Sequence, residues 1–356
     1  MRKQRILLIT TGATNTTNQS LVEKWQAMEY ETKIIVGDTL LGEKGQKALG
    51  QPTAFSYKVM HGVGQALPGL VHWVMRKSVR KKLLAEILFY KPDVIVTEHR
   101  YLTKALTGLL KQENRDIPVI INVTDWVEPD KLWRDPAAAL TCVPTKAAYE
   151  RLSWSGIDPH RLSIVGFPWD MTLPAQKVAK AVPEKVQILL LNPGSSAADG
   201  VTLVSEVAGV PNVSLTVDCA GDTSWYQALL QKQTAGELAG VILHQKVTDL
   251  PILLQHCQVI LTPADPSLIL AGIRTGNAVV IVGHRPGQSR HNDQYLTQNG
   301  YGFTGENLGF IRGQLTNLVS RQELAKTLAN TVFVDDRNGV QNLAERVSEL
   351  IQKSCH

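Results

Sequence analysis

Side chains able to move a proton or hold an anion stand at the ends of short apolar runs. Pro92-Asp-Val-Ile-Val-Thr97 runs into Glu98-His99-Arg100, and Pro118-Val-Ile-Ile-Asn-Val123 into Thr124-Asp125-Trp126. An imidazole at a strand end serves as a general base or as a hydrogen-bonded structural group. Asp125 orients an acceptor hydroxyl or caps its loop. Further on, Leu189-Leu-Leu-Asn-Pro-Gly194 is followed by Ser195 and Ser196. Gly194 lets backbone approach a ligand, and the two hydroxyls can donate to phosphate or sugar oxygens. Val259–Thr262 leads into Pro263-Ala-Asp-Pro266-Ser267. Pro266 and Ser267 open a helix whose free N–H groups and dipole suit a diphosphate, or which is simply well capped. After the run Ala278–Val282, Gln288 and Asn292 set two amides four residues apart on one helical face. Amides donate and accept, as neutral sugar hydroxyls require. The loop Thr10–Ser20 holds one glycine, Gly12, and so lacks the G-x-G-x-x-G dinucleotide fingerprint.

The elements that must position these groups alternate. Strands are expected at Arg5–Thr10, Thr32–Val36, Pro92–Thr97, Pro118–Val123, Ala139–Val143 and Ser163–Gly166, with helices at Ser20–Met28, Pro68–Phe89, Lys104–Gln112 and Lys146–Ser155. Pro168–Pro183, with three prolines and no periodicity, reads as a linker. Strands restart at Gln187–Leu191, Ser214–Val217, Gly240–His244, Val259–Thr262 and Ala278–Val282, and Gln341–Gln352 is a closing amphipathic helix. Alternation of this kind means parallel sheets covered on both faces. The expected architecture is α/β: two Rossmann-like domains, 1–168 and 186–340, joined by a linker at 169–185 and followed by a closing helix and tail at 341–356. They are expected to face each other across a cleft, with ligands at the carboxyl ends of the strands.

Composition narrows the partners. The 356 residues are 44% hydrophobic and 19% charged, which excludes a disordered or fibrous chain. No run of 18 apolar residues occurs, and Ile6–Ile9 is too short for a signal-peptide core. The four cysteines have no metal-ligand spacing, so no metal cofactor is implied and a cytoplasmic protein is expected. Residues 1–168 carry 23 basic against 16 acidic side chains, while the remainder is slightly acidic. Arg76, Lys77, Arg80, Lys81 and Lys82 follow Leu70, Val71, Trp73, Val74 and Met75. Apolar and aromatic residues beside a basic cluster on one helix fit an anionic bilayer, or form a solvated face on a core helix. Each basic residue at such a surface contributes roughly 1 kcal/mol. No interleaved aromatic platform or reading motif points to nucleic acid.

In this linear order the segments resemble the lipid glycosyltransferases related to monogalactosyldiacylglycerol synthase and the processive diacylglycerol glucosyltransferases, and more distantly the UDP-GlcNAc transferase of peptidoglycan synthesis. The resemblance rests on Pro92–His99, Val123-Thr-Asp-Trp126 with Trp133, Val143-Pro-Thr, Leu152-Ser-Trp-Ser-Gly-Ile-Asp-Pro with Val165-Gly-Phe-Pro168, Pro286-Gly-Gln with Asn292, and Asn299-Gly-Tyr-Gly302. It implies the GT-B fold, a UDP-sugar held by the C-terminal domain and a membrane-lipid acceptor at the N-terminal one. His99 or Asp125 would be the base on the acceptor hydroxyl. The Ser267 helix start would face the departing diphosphate, and Gln288 and Asn292 the hexose. Trp73, the basic cluster and Trp126 would meet the lipid, placing the enzyme peripherally at the inner face of the membrane.

Two positions depart from the pattern. Thr17 stands where the family's histidine falls, with Thr14 and Thr16 replacing glycines. The family's glycine-threonine pair becomes Ser267-Leu268, and its ribose-holding glutamate becomes Ala271. Losing that carboxylate removes a charge-assisted partner worth ~1.5–3 kcal/mol. These departures motivate a second reading, a non-catalytic relative that binds nucleotide sugar or regulates a partner. An epimerase on the same fold would need clustered carboxylates and histidine in the cleft, and the sequence shows no such cluster.

Overall fold

The computed structural model describes residues 2–11, 16–41, 66–167, 178–194, 196–283, 290–305, 307–332 and 338–354. The chain divides into two compact units, one made of Met1–Asp170 with Arg337–His356, the other of Met171–Asp336.

The first unit is built on a six-stranded parallel sheet ordered β2-β1-β3-β4-β5-β6, with β1 Arg5–Thr10, β2 Glu31–Val36, β3 Val94–Thr97, β4 Val119–Asn122, β5 Leu140–Val143 and β6 Leu162–Ile164. β3 and β4 read Val-Ile-Val-Thr and Val-Ile-Ile-Asn and are buried throughout, as strands covered on both faces must be. On one face, Ile6, Leu8, Val94, Val96 and Ile120 pack against Leu21 and Trp25 of α1 (Thr16–Ala27) and Val340, Leu343, Ala344 and Val347 of the chain's last helix (Gly339–Ser354). That helix therefore completes the core of the first unit. On the other face, Leu7, Ile9 and Ile95 pack against Val79, Leu83 and Ile87 of the helix Pro68–Tyr90 and Leu102, Leu106 and Leu109 around the helix Thr103–Gln112. A four-residue helix, α2 (Gly37–Leu40), follows β2 directly. With α2 in place, Pro68–Tyr90 is α3, Thr103–Gln112 is α4, and Lys146–Trp154 is α5.

The second unit repeats the plan in the order β12-β11-β10-β7-β8-β9, with β7 Val186–Leu191, β8 Val213–Asp218, β9 Ile242–His244, β10 Val259–Thr262, β11 Ala278–Val282 and β12 Gly302–Gly305. Its helices are α6 Ala197–Ala208, α7 Thr223–Thr234, α8 Leu250–His256, α9 Pro266–Arg274, α10 Arg290–Gln298, α11 Leu308–Leu318 and α12 Arg321–Thr331; the chain's last helix is α13.

Three elements differ from the sequence reading. Helix α1 begins at Thr16, four residues before the expected Ser20, because its first turn is polar and carries Asn18 inward. Strand β9 begins at Ile242, not Gly240, because Gly240 holds a left-handed φ of +82. The edge strand β12, Gly-Phe-Thr-Gly, has neither an apolar run nor an alternation to announce it. Its register is fixed instead by close approach: Gly302 pairs with Val279, and a Cβ at Gly302 would overlap the Val279 carbonyl. Gly302→Ala should therefore destabilise the protein by about 1–3 kcal/mol in urea unfolding. Gly313→Ala, on α11 with open space around it, should be neutral or stabilising by up to ~1 kcal/mol in the same measurement.

Candidate functional site

Each sheet reverses the direction of its crossovers once, and ligands of open parallel sheets bind at that point, beyond the carboxyl ends of the strands. In the first unit the reversal lies between β1 and β3. Because the sheet is parallel and in register, side chains in one row share a face. Thr10, Glu98 and Asn122 continue the rows Ile6–Leu8, Val94–Val96 and Ile120, so three polar groups top an apolar face. Asn18 of α1 leans over them. Asn18 Nδ2 donates to Glu98 Oε2 at 2.7 Å, and Asn122 Nδ2 donates to Glu98 Oε1 at 2.8 Å. The Thr11 hydroxyl donates to the Glu98 carbonyl at 2.9 Å. Glu98 is buried, and burial pushes its carboxyl pKa up against the opposing pull of the two amides. Among the described residues, Thr10 Oγ1 and Asn122 Oδ1 are buried with no hydrogen-bond partner.

His99 turns to the opposite face. Its Nε2 lies 3.2 Å from Asp38 Oδ1, and its ring packs so close to Gly37 that a Cβ there would fall 2.5 Å from Cδ2. The histidine is 1% exposed, so the expected strand-end base is enclosed, and the outward member of the pair is Asp38, with 20% of its side chain exposed. Asp125 is half-buried and accepts from Trp133 Nε1 at 2.7 Å. Burial raises its pKa, with the Arg100 guanidinium opposing. Trp126, expected at a lipid surface, is 2% exposed and belongs to the interior.

In the second unit the reversal lies between β7 and β10. Gly194 holds φ +69 and its N–H donates to Asn192 Oδ1 at 2.8 Å. Ser196 was expected to offer its hydroxyl to a ligand, but it caps α6, accepting from the Asp199 N–H at 3.2 Å and donating to Asp199 Oδ2 at 2.7 Å. The N–H groups at the start of α9 are not free either. Asp265 is the cap, its Oδ1 accepting from Ser267 N at 2.8 Å and Leu268 N at 3.4 Å, with Pro266 at the first helical position. An aspartate directly before a proline is the sequence signal of this cap. A carboxylate there offsets the helix dipole and repels a second anion by about 1–4 kcal/mol at 4 Å, depending on solvation. Ala271 is fully buried in α9, so a carboxylate at that position would enter packed interior. Asn292 is likewise buried, on α10, and not displayed on an open helical face. Ser195 and Gln288 lie outside the described residues. Among the described residues no group of three or more His, Cys, Asp or Glu side chains could hold a metal ion.

The basic helix α3 buries His72, Val79, Leu83, Ile87 and Tyr90 and leaves Leu70, Trp73 and Val74 about half exposed. Leu70, Trp73, Val74, Lys77 and Lys81 follow helical spacing, so they form one outward stripe. Lys77 Nζ sits 3.9 Å over the Trp73 ring. Other members of the cluster have structural tasks. Arg76 lies against Gly108 of α4, Arg80 pairs with Glu113 at 2.7 Å, and Lys82 donates to the Thr39 carbonyl at 3.1 Å. Among the described residues no helix is long and apolar enough to cross a membrane.

Comparison with known proteins finds similarity to one family over part of the chain. Residues 51–168 match the sequence profile of monogalactosyldiacylglycerol (MGDG) synthase. The chain is 21% identical over 299 residues to monogalactosyldiacylglycerol synthase 3, chloroplastic, of Arabidopsis thaliana, covering 77% of this chain and 62% of that protein. It is 24% identical over 268 residues to the processive diacylglycerol beta-glucosyltransferase of Staphylococcus aureus, covering 69% of this chain and 66% of that one. The chain thus spans somewhat under two thirds of the length of these relatives. Among solved structures, Acinetobacter baumannii MurG superimposes with a TM-score of 0.68 at 11% identity, covering 97% of this chain and 99% of the other. HepE of Anabaena in complex with UDP superimposes with a TM-score of 0.57 at 12% identity, covering 98% and 100%. With its two parallel six-stranded sheets, the chain has the GT-B fold and is a distant homologue of the monogalactosyldiacylglycerol synthases and the processive diacylglycerol glucosyltransferases.

Proposed function

We propose that the chain is a glycosyltransferase that moves a hexose from a UDP-sugar to a membrane lipid of the diacylglycerol class, working peripherally at the cytoplasmic face. The observation that carries this reading is the stripe Leu70–Trp73–Val74–Lys77–Lys81. It lies within the segment that matches the family and leaves apolar and cationic groups side by side. Burying a half-exposed Leu, Trp and Val in lipid contributes apolar transfer energy at about 25 cal/mol per Å², and the two lysines add roughly 1 kcal/mol each at an anionic surface. On the donor side, the left-handed backbone at Gly194, beside the β7–β10 reversal, is the group offered to the nucleotide. Homology to diacylglycerol sugar transferases and the likeness to a UDP-bound structure support that donor.

One observation favours a second reading, a nucleotide-sugar-binding relative that does not turn over. Asp265 occupies the helix start where a diphosphate would settle, and Ala271 offers no carboxylate to a ribose. The two readings separate cleanly. Release of UDP from UDP-glucose or UDP-galactose with dioleoylglycerol vesicles is the outcome expected of the enzyme. Heat on titration with UDP, without turnover under any donor, would establish the binding relative instead.

The membrane assignment has its own test. Trp73→Ala combined with Lys77→Glu and Lys81→Glu should reduce partition onto vesicles containing anionic lipid by roughly tenfold or more. Wild-type binding should weaken as salt rises. All three side chains are outward, so thermal unfolding should be unchanged. Equal co-sedimentation of variant and wild type would remove α3 as the docking surface.

A further inference from the structure

The polar row that tops the first sheet is short of hydrogen-bond donors. Glu98 offers two carboxylate oxygens, each taking one amide and each keeping a further lone pair. Beside it Asn122 Oδ1 is buried with no partner, and so is the Thr10 hydroxyl. A buried polar group left unpaired is costly, so a site with this inventory is completed by a group that brings O–H. It stands at the β1–β3 reversal, where a parallel sheet binds ligands. Of the two titratable groups that end β3, Glu98 retains 7% of its surface against 1% for His99. One of its two amides, Asn18, directly follows Thr17, the position at which the family pattern places a histidine.

We propose that Glu98 is the proton acceptor for the acceptor hydroxyl in this chain, with Asn18 and Asn122 as positioning residues that aim its carboxylate. The assignment rests on the transferase reading above. In the step, the acceptor oxygen bonds to the anomeric carbon of the hexose. The bond from that carbon to the diphosphate oxygen breaks, and its electron pair leaves with UDP. The hydroxyl proton passes to a Glu98 oxygen, and the resulting carboxylic acid returns it to water after the product departs.

The environment suits that task. Burial raises the Glu98 pKa and so makes its carboxylate the stronger base, while the two amides oppose that shift by favouring the charged form. The groups that face it are neutral: Thr10 and Thr11 at the end of β1, Asn18 on α1 and Asn122 on β4. The charges on the covering helices are engaged elsewhere or exposed. Lys24 donates to Gln341, Gln341 donates to Glu345, Arg346 pairs with Glu349, and Glu23 points to solvent. His99 and Asp38 bond each other on the other face.

The test uses the full chain with UDP-glucose or UDP-galactose and dioleoylglycerol vesicles. Glu98→Gln should fold, because a flip of the Asn122 amide turns its Oδ1 to accept from the new Nε2 while the Gln oxygen keeps the Asn18 bond. It should lower kcat by about 10²-fold or more, with KM for the sugar nucleotide little changed. Asn18→Ala removes a donor that favours the ionised form, so the acid limb of its kcat–pH profile should move upward by roughly one pH unit. A carboxyl with only a structural role would change stability and leave that limb in place, which would overturn the assignment. So would wild-type kcat in Glu98→Gln.

A readout independent of turnover is the pH dependence of unfolding free energy. A carboxyl whose folded pKa is raised binds an extra proton in the folded state. Wild-type stability should therefore fall as pH climbs from about 4.5 through the folded pKa, a fall that Glu98→Gln lacks. A constant difference between the two proteins as pH climbs from about 4.5 would mean that Glu98 does not titrate with a raised pKa, and would overturn the assignment. Absence of turnover with every donor removes the transferase reading itself, whereas an active enzyme indifferent to Glu98→Gln removes only this residue.

Discussion

A carboxyl held between two amides, at the place where a parallel sheet reverses its crossovers, is the interaction on which the first unit turns. Register puts Thr10, Glu98 and Asn122 in one row, and α1 adds Asn18 from above. Below that row the face is wholly apolar, so the polar groups mark the level at which the core ends and chemistry becomes possible. Taking a carboxyl out of water is expensive, and two charge-assisted hydrogen bonds offset only part of the cost. Such a group is kept where its perturbed proton affinity has a use. The opposite face solves a related problem differently, with His99 enclosed and Asp38 left facing outward.

The second unit shares the plan and differs in charge. Its reversal point gathers Gly194, Ser196 and the start of α9, yet the N–H groups that a parallel α/β scaffold offers to an anion are already bonded to carboxylate-bearing or hydroxyl side chains. Among the described residues, the left-handed backbone at Gly194 stands beside them. The helix α3, in contrast, gives up burial over its first turns and displays an apolar and cationic stripe while its later turns pack firmly.

Much of this was legible in the sequence, and the rest was not for definite reasons. Parallel strands are buried on both faces and so read as continuous apolar runs; β3, β4, β10 and β11 stand out for that reason. The edge strand β12, short and bounded by glycines, does not. The α3 stripe was readable from helical spacing, but not the tasks of Arg76, Arg80 and Lys82, which depend on partners in other elements. Glu98 stands beside His99 with nothing local to single it out. Its meaning lies in Asn18 and Asn122, which are 80 and 24 residues away and reach it only after the sheet has formed. Asp265 was the opposite case: its place before Pro266 announced a cap, and attention to Ser267 obscured it.

The position of α13 has a consequence for how the molecule comes into being. Its side chains Val340, Leu343, Ala344 and Val347 complete the apolar face formed by Ile6, Leu8, Val94, Val96 and Ile120. Emerging from a ribosome, the second unit is finished in sequence before the first, although the strands of the first are made earlier. α1 covers part of that face early, but the part under α13 must wait through the synthesis of well over a hundred residues. Domains ordinarily fold in the order in which they are made. Here the core of the first unit stays incomplete until residues on the far side of the second have been made, so the second unit can close on its own contacts first.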